Sequence, residues 1–390
     1  MGIFSPKENK IIWYLYYILR SFIPIQARWF LQRQFARRVN GFLSTPMWPL
    51  PEVKNSQQSM VEGNGLRFPF ILTHDVDTQF GFDHIQDVCE VEKRLELKSS
   101  WNIVPNLYQI GQHIMEYLRE SRMEIGVHDW NHDGKLFSNK KTFYERIGKI
   151  NEVIRDWGAK GFRAGTMFHH DEWTQELECD YDSSYYDTDP FQPMGGGDCS
   201  IWPFMLGHLV ELPYTMPQDH VLFVAKAEFK ILQDYHSEDN IRRKNWEWMI
   251  KYTKNLVIEE FGDSGADPEI VLKGIDIWKM KAEWLVNQGG MVLMITHPDY
   301  LCHPKLSAKS MSHRAKRKYI YDGWLDDTDK DLQEVREKGI IEAKWYGSLL
   351  EQYAAFLNWF KREYEGQYWH CLPWELADWY KDNRINELRD

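Results

Sequence analysis

Short apolar runs separated by amphipathic stretches constrain this chain more than any other feature. Residues 68–72 (FPFIL), 99–104 (SSWNIV) and 123–127 (MEIGV) read as buried strands, while residues 87–97 and 110–122 between them read as helices. Strand–helix alternation of this kind builds βα units around a parallel sheet or barrel, an α/β fold. In such folds the chemistry sits at the carboxyl ends of the strands. The first and third runs both end that way: residues 68–72 lead into THDVDT (73–78), and residues 123–127 lead into HDWNHDG (128–134).

On an extended backbone Asp75 and Asp77 point to one side and Val76 to the other. Two carboxylates side by side repel each other, and a bound cation is the natural compensation. His128 and His132 are four positions apart, a spacing that brings two imidazoles onto one ion from a helix or a tight loop. Asp129 and Asp133 lie near enough to stand behind those rings. One carboxylate plus two histidines leaves positions open for water and substrate. A further apolar run, residues 291–295, ends beside His297.

The organisation around this core is uneven. Residues 1–45 read as a basic amphipathic arm, residues 46–66 as a linker rich in Pro, Ser, Asn, Gln and Gly, and residues 67–385 as the folded domain that carries these strands. Within residues 1–40 seven basic side chains stand against Glu8 alone, so the arm carries 7 − 1 = +6. With −11 overall, the remainder carries −17, which argues against nucleic acid as a partner. The apolar run 11–19 is too short to span a bilayer and has no cleavage signature after it. Two readings of residues 10–38 compete: peripheral contact with anionic lipid, or packing of the arm's aromatics on the body. The five cysteines are scattered, against a disulfide framework and against a Cys-based zinc site. The expected location is therefore the cytoplasm, with the inner face of the membrane as a possible station.

Taken together, the residues resemble a known family. In chain order THDVDT, HDWNH (128–132), GFRAG (161–165), CDYDSSYYDTDPF (179–191) and MITHPDY (294–300) are similar to the motifs of the polysaccharide deacetylases, carbohydrate esterase family 4, in the subset whose first motif reads HDVD. The resemblance covers residues 67–300, with YWHCLPWELADWY (368–380) as a closing strand and helix. It implies a distorted (β/α) barrel and a divalent metal held by Asp77, His128 and His132. It also implies Asp75 as general base, Arg163 orienting that base, His297 as general acid and Asp182 as the acid's partner. Trp130, Tyr214 and Trp202 are the expected substrate contacts, with core packing the alternative for Trp202.

The sequence departs from the family's usual pattern in two places. Val76 stands between the aspartates, which are ordinarily adjacent; a gap-free match would put Val76 on the metal, whereas strand alternation favours Asp77. His74 is a further candidate ligand. Ala164-Gly165 replaces the proline that commonly follows the arginine.

The chemistry that follows is a hydrolysis. A metal polarises the acetyl carbonyl, Asp75 takes a proton from the attacking water, and His297 protonates the departing amine or alkoxide. Zinc leads the candidate metals, with cobalt, nickel and manganese behind it. Three functions fit: removal of an N- or O-acetyl group from a glycan or lipid-linked sugar, an inactive carbohydrate- or partner-binding barrel, and a metal amidohydrolase acting on a small non-sugar amide. A cleft lined by exposed aromatics favours the glycan, and a closed small pocket favours the last.

Overall fold

The computed structural model describes residues 68–167, 169–187, 200–220, 222, 229–232, 269–272, 274–304 and 329–387. The expected arm and linker, residues 1–66, lie outside the described residues. So do the glycine-rich residues 194–198, residues 237–261, whose charged pattern reads as a helix, and the basic cluster 310–318.

Among the described residues one curled sheet carries the fold. Its strands are β1 (Phe68–Val76), β2 (Ser100–Ile103), β3 (Glu124–His128), β4 (Gly161–Arg163), β5 (Tyr181–Asp182), β6 (Phe204–Leu206) and β7 (Leu209–Glu211). A separate antiparallel pair, β8 (Phe229–Leu232) and β9 (Glu269–Leu272), precedes β10 (Val292–Thr296) and β11 (Tyr368–His370). The main sheet runs β10-β1-β2-β3-β4-β5-β7-β6, parallel throughout except for the antiparallel β6–β7 hairpin. Helices Ile85–Arg94, Gln112–Glu120 and Lys140–Trp157 connect the first four strands, as the alternating pattern requires. This is a distorted (β/α) barrel.

The barrel closes irregularly. Met291 N–H donates to the Ile201 carbonyl (3.1 Å), and Thr215 and Met216 N–H both donate to the Leu293 carbonyl (3.2 and 3.1 Å). Thr215 Oγ1 adds a bond to the Met291 carbonyl at 2.8 Å. Loop segments therefore do the work of a strand between β7 and β10. The strand expected near the end of the chain is β11, and it lies elsewhere, against the first three residues of β1.

Strand alternation divides the polar from the apolar. Phe68 and Phe70 face outward onto the buried helix Leu349–Glu363, where Phe70 stacks on Phe360 with centroids 4.0 Å apart. Burying an aromatic of this size contributes roughly 1.5–3 kcal/mol. The opposite face gathers the polar residues: Thr73 and Asp75 on β1, Asn102 on β2, His128 on β3 and Arg163 on β4. Tyr181 closes the layer beneath by donating its hydroxyl to Glu124 Oε1 (2.8 Å). No helix among the described residues is long and apolar enough to cross a membrane.

Candidate active site

Asp75 is built into the sheet. Its Oδ1 accepts from Arg163 Nη1 (2.7 Å) and from Asn102 Nδ2 (2.9 Å), and its Oδ2 lies 3.8 Å from His128 Nε2. Asn102 reaches it only because residue 126 on the neighbouring strand is glycine: a Cβ there would sit 2.3 Å from Asn102 Oδ1. Arg163 is buried and fixed at every edge, with Nε to the Ser183 carbonyl (2.8 Å), Nη2 to Ser183 Oγ (2.8 Å) and Nη1 also to Thr73 Oγ1 (3.0 Å). Burial opposes ionisation of Asp75, but the charges of Arg163, His128 and His297 outweigh it and bring the carboxyl to about 2.

Asp77, one step past β1, turns to the histidines. Its Oδ1 is 3.4 Å from His128 Nε2 and 3.3 Å from His132 Nε2. An ion with ligands at 2.0–2.2 Å in tetrahedral array separates them by roughly 3.3–3.5 Å, so the three atoms already stand at coordination spacing. Asp77 Oδ1 is buried without a hydrogen-bond partner, as an oxygen reserved for a cation would be. His128 Nδ1 lies 3.0 Å from the Arg163 carbonyl; donating there fixes the tautomer that leaves Nε2 free to ligate. Asp77 is held low because the histidine charges and hydrogen bonds outweigh the burial that opposes its ionisation, and the same balance raises His128.

The loop that delivers His132 is strained. Asp129 and His132 both adopt left-handed backbone, with φ of 55° and 50°. Such residues cost about 1–3 kcal/mol each and concentrate where geometry is needed for function. Gly165 leaves room for this loop, since a Cβ there would lie 2.5 Å from Asp129 Oδ2. Asp129 and Asp133 do not stand behind the imidazoles as expected: Asp129 Oδ1 accepts from Trp130 N, and Asp133 pairs with Arg146 (2.8 and 2.9 Å). The partner of His128 is the Arg163 main chain instead.

His297 follows β10, and its carboxylate is Asp219 rather than Asp182. His297 Nδ1 and N–H each meet Asp219 oxygens at 2.7 Å. Burial alone would lower the imidazole, but Asp219, Asp77 and Asp75 together raise it to about 10, so the ring is charged near neutrality. Asp182 is excluded by register. It pairs with Glu211 across β5–β7 and with Phe162 across β4–β5, on the face away from Arg163, while its neighbour Ser183 takes the inward place. There Asp182 Oδ1 accepts from Ser184 Oγ (2.6 Å), and burial holds Asp182 up to about 6 and Glu211 well above the carboxylate range.

Asp219, His220 and His297 also form a compact group of possible ligands. Its 2.7 Å contacts are hydrogen-bond lengths, too short for two ligands flanking an ion, so the donor set that fits a metal is Asp77–His128–His132.

Other expectations resolve as follows. His74 is not a ligand: it faces the helices, with Nε2 2.7 Å from Glu92 Oε1, Nδ1 2.8 Å from Thr296 Oγ1, and its ring stacked on Trp101. Tyr214 and Trp202 are buried in the core, which removes them as exposed sugar platforms. Trp130 is half-buried against a second apolar cluster, with Lys149 Nζ 5.7 Å above its ring. Sequence reasoning missed Asn102, Ser183, Asp219 and Asp299. Asp299 accepts from Asp77 N (3.0 Å) and from Thr78 Oγ1, holding the turn that aims Asp77. Its signal was present, two residues after His297 in the motif MITHPDY.

Fold and site together define an α/β barrel with a metal-type triad, an ionised carboxylate and a charged imidazole at its strand ends. No protein-family model and no curated protein matches the chain. Among solved structures it is similar to a Mycobacterium smegmatis protein designated a polysaccharide deacetylase, at 14% identity over 68% of this chain and 87% of the other, with a TM-score of 0.38. It is also similar to Puue allantoinase (10% identity, 84% and 94% covered, TM-score 0.47). A third likeness is the chitin deacetylase of Colletotrichum lindemuthianum (14% identity, 58% and 84% covered, TM-score 0.24). Likenesses this distant leave the reading of the site to its own residues.

Proposed function

We propose that the chain is a metal-dependent hydrolase that removes an acetyl group, N- or O-linked, from a glycan. The observation that carries this reading is the buried, partnerless Asp77 Oδ1 at coordination distance from two imidazoles, one of them fixed in its ligating tautomer. When bound by Asp77, His128 and His132, a divalent ion supplies Lewis acidity toward the acyl oxygen and acidifies water. Zinc suits the set best, with cobalt, nickel and manganese as alternatives.

The chain's own residues supply the proton transfers. Asp75, ionised and locked by Arg163 and Asn102, takes the proton of the attacking water through Oδ2, the oxygen that faces His128. His297, charged and turned by Asp219, gives a proton from Nε2 to the departing amine or alkoxide. Base and acid thus have pKa values pushed apart by their surroundings, as a two-carrier hydrolysis at neutral pH needs.

The burial of Tyr214 and Trp202 favours a second reading, an amidohydrolase acting on a small non-sugar amide, because it removes two expected stacking surfaces. One experiment tests the shared core of both. Wild type and the double variant His128→Ala with His132→Ala are compared for bound metal and for acetate release from acetylated oligosaccharides and small acetamides. The wild type is expected to hold about one ion per chain and the double variant none. Equal metal in the two proteins overturns the metal-hydrolase reading, and release from acetamides alone selects the second.

A further inference from the structure

Asp77 supplies the carboxylate of the candidate triad, yet it stands just past the strand that leads to it. β1 ends at Val76, whose partner on β2 is Ile103, and the two strands part there. The peptide unit between Val76 and Asp77 is instead gripped at both ends by side chains. At one end the Val76 carbonyl accepts from the Tyr108 hydroxyl (2.7 Å). That hydroxyl accepts in turn from Val104 N–H (3.1 Å), so it bridges the gap between the parting strands. At the other end Asp77 N–H donates to Asp299 Oδ2 (3.0 Å), while Asp299 Oδ1 accepts from Thr78 Oγ1. Both gripping side chains are themselves built in. Asp299 is buried, and helix Gln79–Asp83 comes onto its carboxylate only because residue 81 is glycine: a Cβ there would lie 2.1 Å from Oδ2. The Tyr108 ring packs on Phe82 of the same helix, with centroids 5.6 Å apart.

We propose that Tyr108 and Asp299 are positioning residues that lock this one peptide and thereby aim Asp77 Oδ1 at the ion. This inference rests on the metal-hydrolase reading and deepens it. A peptide unit is planar, so bonds to its carbonyl and to its N–H together fix its tilt and the direction in which the next Cα leaves. The Asp77 side chain then starts from a set point, and its partnerless Oδ1 meets the two imidazoles at 3.3–3.4 Å. Asp299 also lies in the short helix Pro298–Leu301 that directly follows His297, so one turn both carries the acid and grips the ligand.

The test reads zinc affinity of the full-length chain, by competition with a chromophoric chelator, beside urea unfolding of the zinc-free protein. Tyr108→Phe removes one end of the grip with the ring kept, and Asp299→Ala removes the other. Each is expected to weaken zinc binding about 10- to 100-fold, the range for losing a group that orients a ligand. Asp299→Asn, whose amide oxygen still accepts from Asp77 N–H, recovers most of the affinity lost in Asp299→Ala. Combining Tyr108→Phe with Asp299→Ala costs less than the product of the two single losses, because both act on one peptide. Tyr353→Phe is the control: it deletes another buried hydroxyl, the one on Glu92, and lowers stability without moving zinc affinity. Unchanged affinity in Tyr108→Phe, a loss matched by Tyr353→Phe, or a full product in the double variant overturns the inference and leaves the metal reading standing. A wild type that binds no zinc, or binds it equally without His128 and His132, overturns both.

Discussion

Replacing Asp219 by Asn separates the acid's charge from its position. The amide keeps one oxygen, for one of the two 2.7 Å bonds that His297 N–H and Nδ1 make to the two Asp219 oxygens, and removes the largest charge that holds the ring protonated. In the wild type His297 sits at about 10, against an ordinary 6.5. If the variant ring returns to 6.5, about 3% of it is protonated at pH 8 and about 90% at pH 5.5. Burial pushes the variant lower still, so the expected loss at pH 8 is about 30-fold or more, shrinking toward nothing at pH 5.5. The assay is the pH profile of kcat/KM on an alkyl acetate or acetamide, whose leaving group needs a proton. The same profile on 4-nitrophenyl acetate is the control, because nitrophenolate departs unaided. The alkaline limb is expected to move to lower pH on the first substrate and not on the second. A loss that is equal at both pH values, or equal on both substrates, refutes the assignment of His297 as a general acid tuned by Asp219.

Three further outcomes follow from the geometry. Asp182 and Glu211 are acids raised by burial, so the stability they confer is full below the unfolded carboxyl range and is lost as pH rises through about 6. Urea unfolding at pH 5 and pH 8 should show that loss in the wild type and a smaller one in Asp182→Asn; equal losses would sink the account. His74→Ala strands buried Glu92 with only Ser99 and Tyr353, at a cost of about 3–5 kcal/mol, yet metal content stays at the wild-type level. Loss of the metal at full stability would return His74 to the ligand set. Gly126→Ala drives a methyl against Asn102 Oδ1 and should cost about 1–3 kcal/mol together with a fall in kcat; a variant as stable and active as wild type would show that Asn102 does not hold the base.

What could be read from the sequence followed from local periodicity. The strand–helix alternation defines the barrel, and the period of two in a long strand places Asp75 and Asp77 together and sends Val76 away; His74, kept above as a candidate ligand, obeys the same alternation and turns outward. His128 and His132 share one short segment, so their convergence needs no long-range information. Asp182 was misread for the complementary reason. Its strand is two residues long, so inward and outward cannot be told apart until its partners Phe162 and Glu211 are known. Asp219 gave no local signal, since nothing near PYTMPQDH marks a strand end. It reaches His297 only because the chain crosses from β7 to β10 at Thr215 and Met216 to close the barrel. Tyr214 was misplaced because an aromatic's composition does not say which side of a wall it stands on; for Trp202 the core-packing alternative holds.

Arg163 serves two residues through two different parts of itself. Its guanidinium grips Asp75, and its carbonyl receives His128 Nδ1. Mutation can rewrite the first and leave the second, because every amino acid brings the same carbonyl. Under the proposed mechanism, a substitution at this position removes the partner of Asp75 and leaves the carbonyl that orients His128. On that reading the base and the candidate metal triad part company at one residue that belongs to neither.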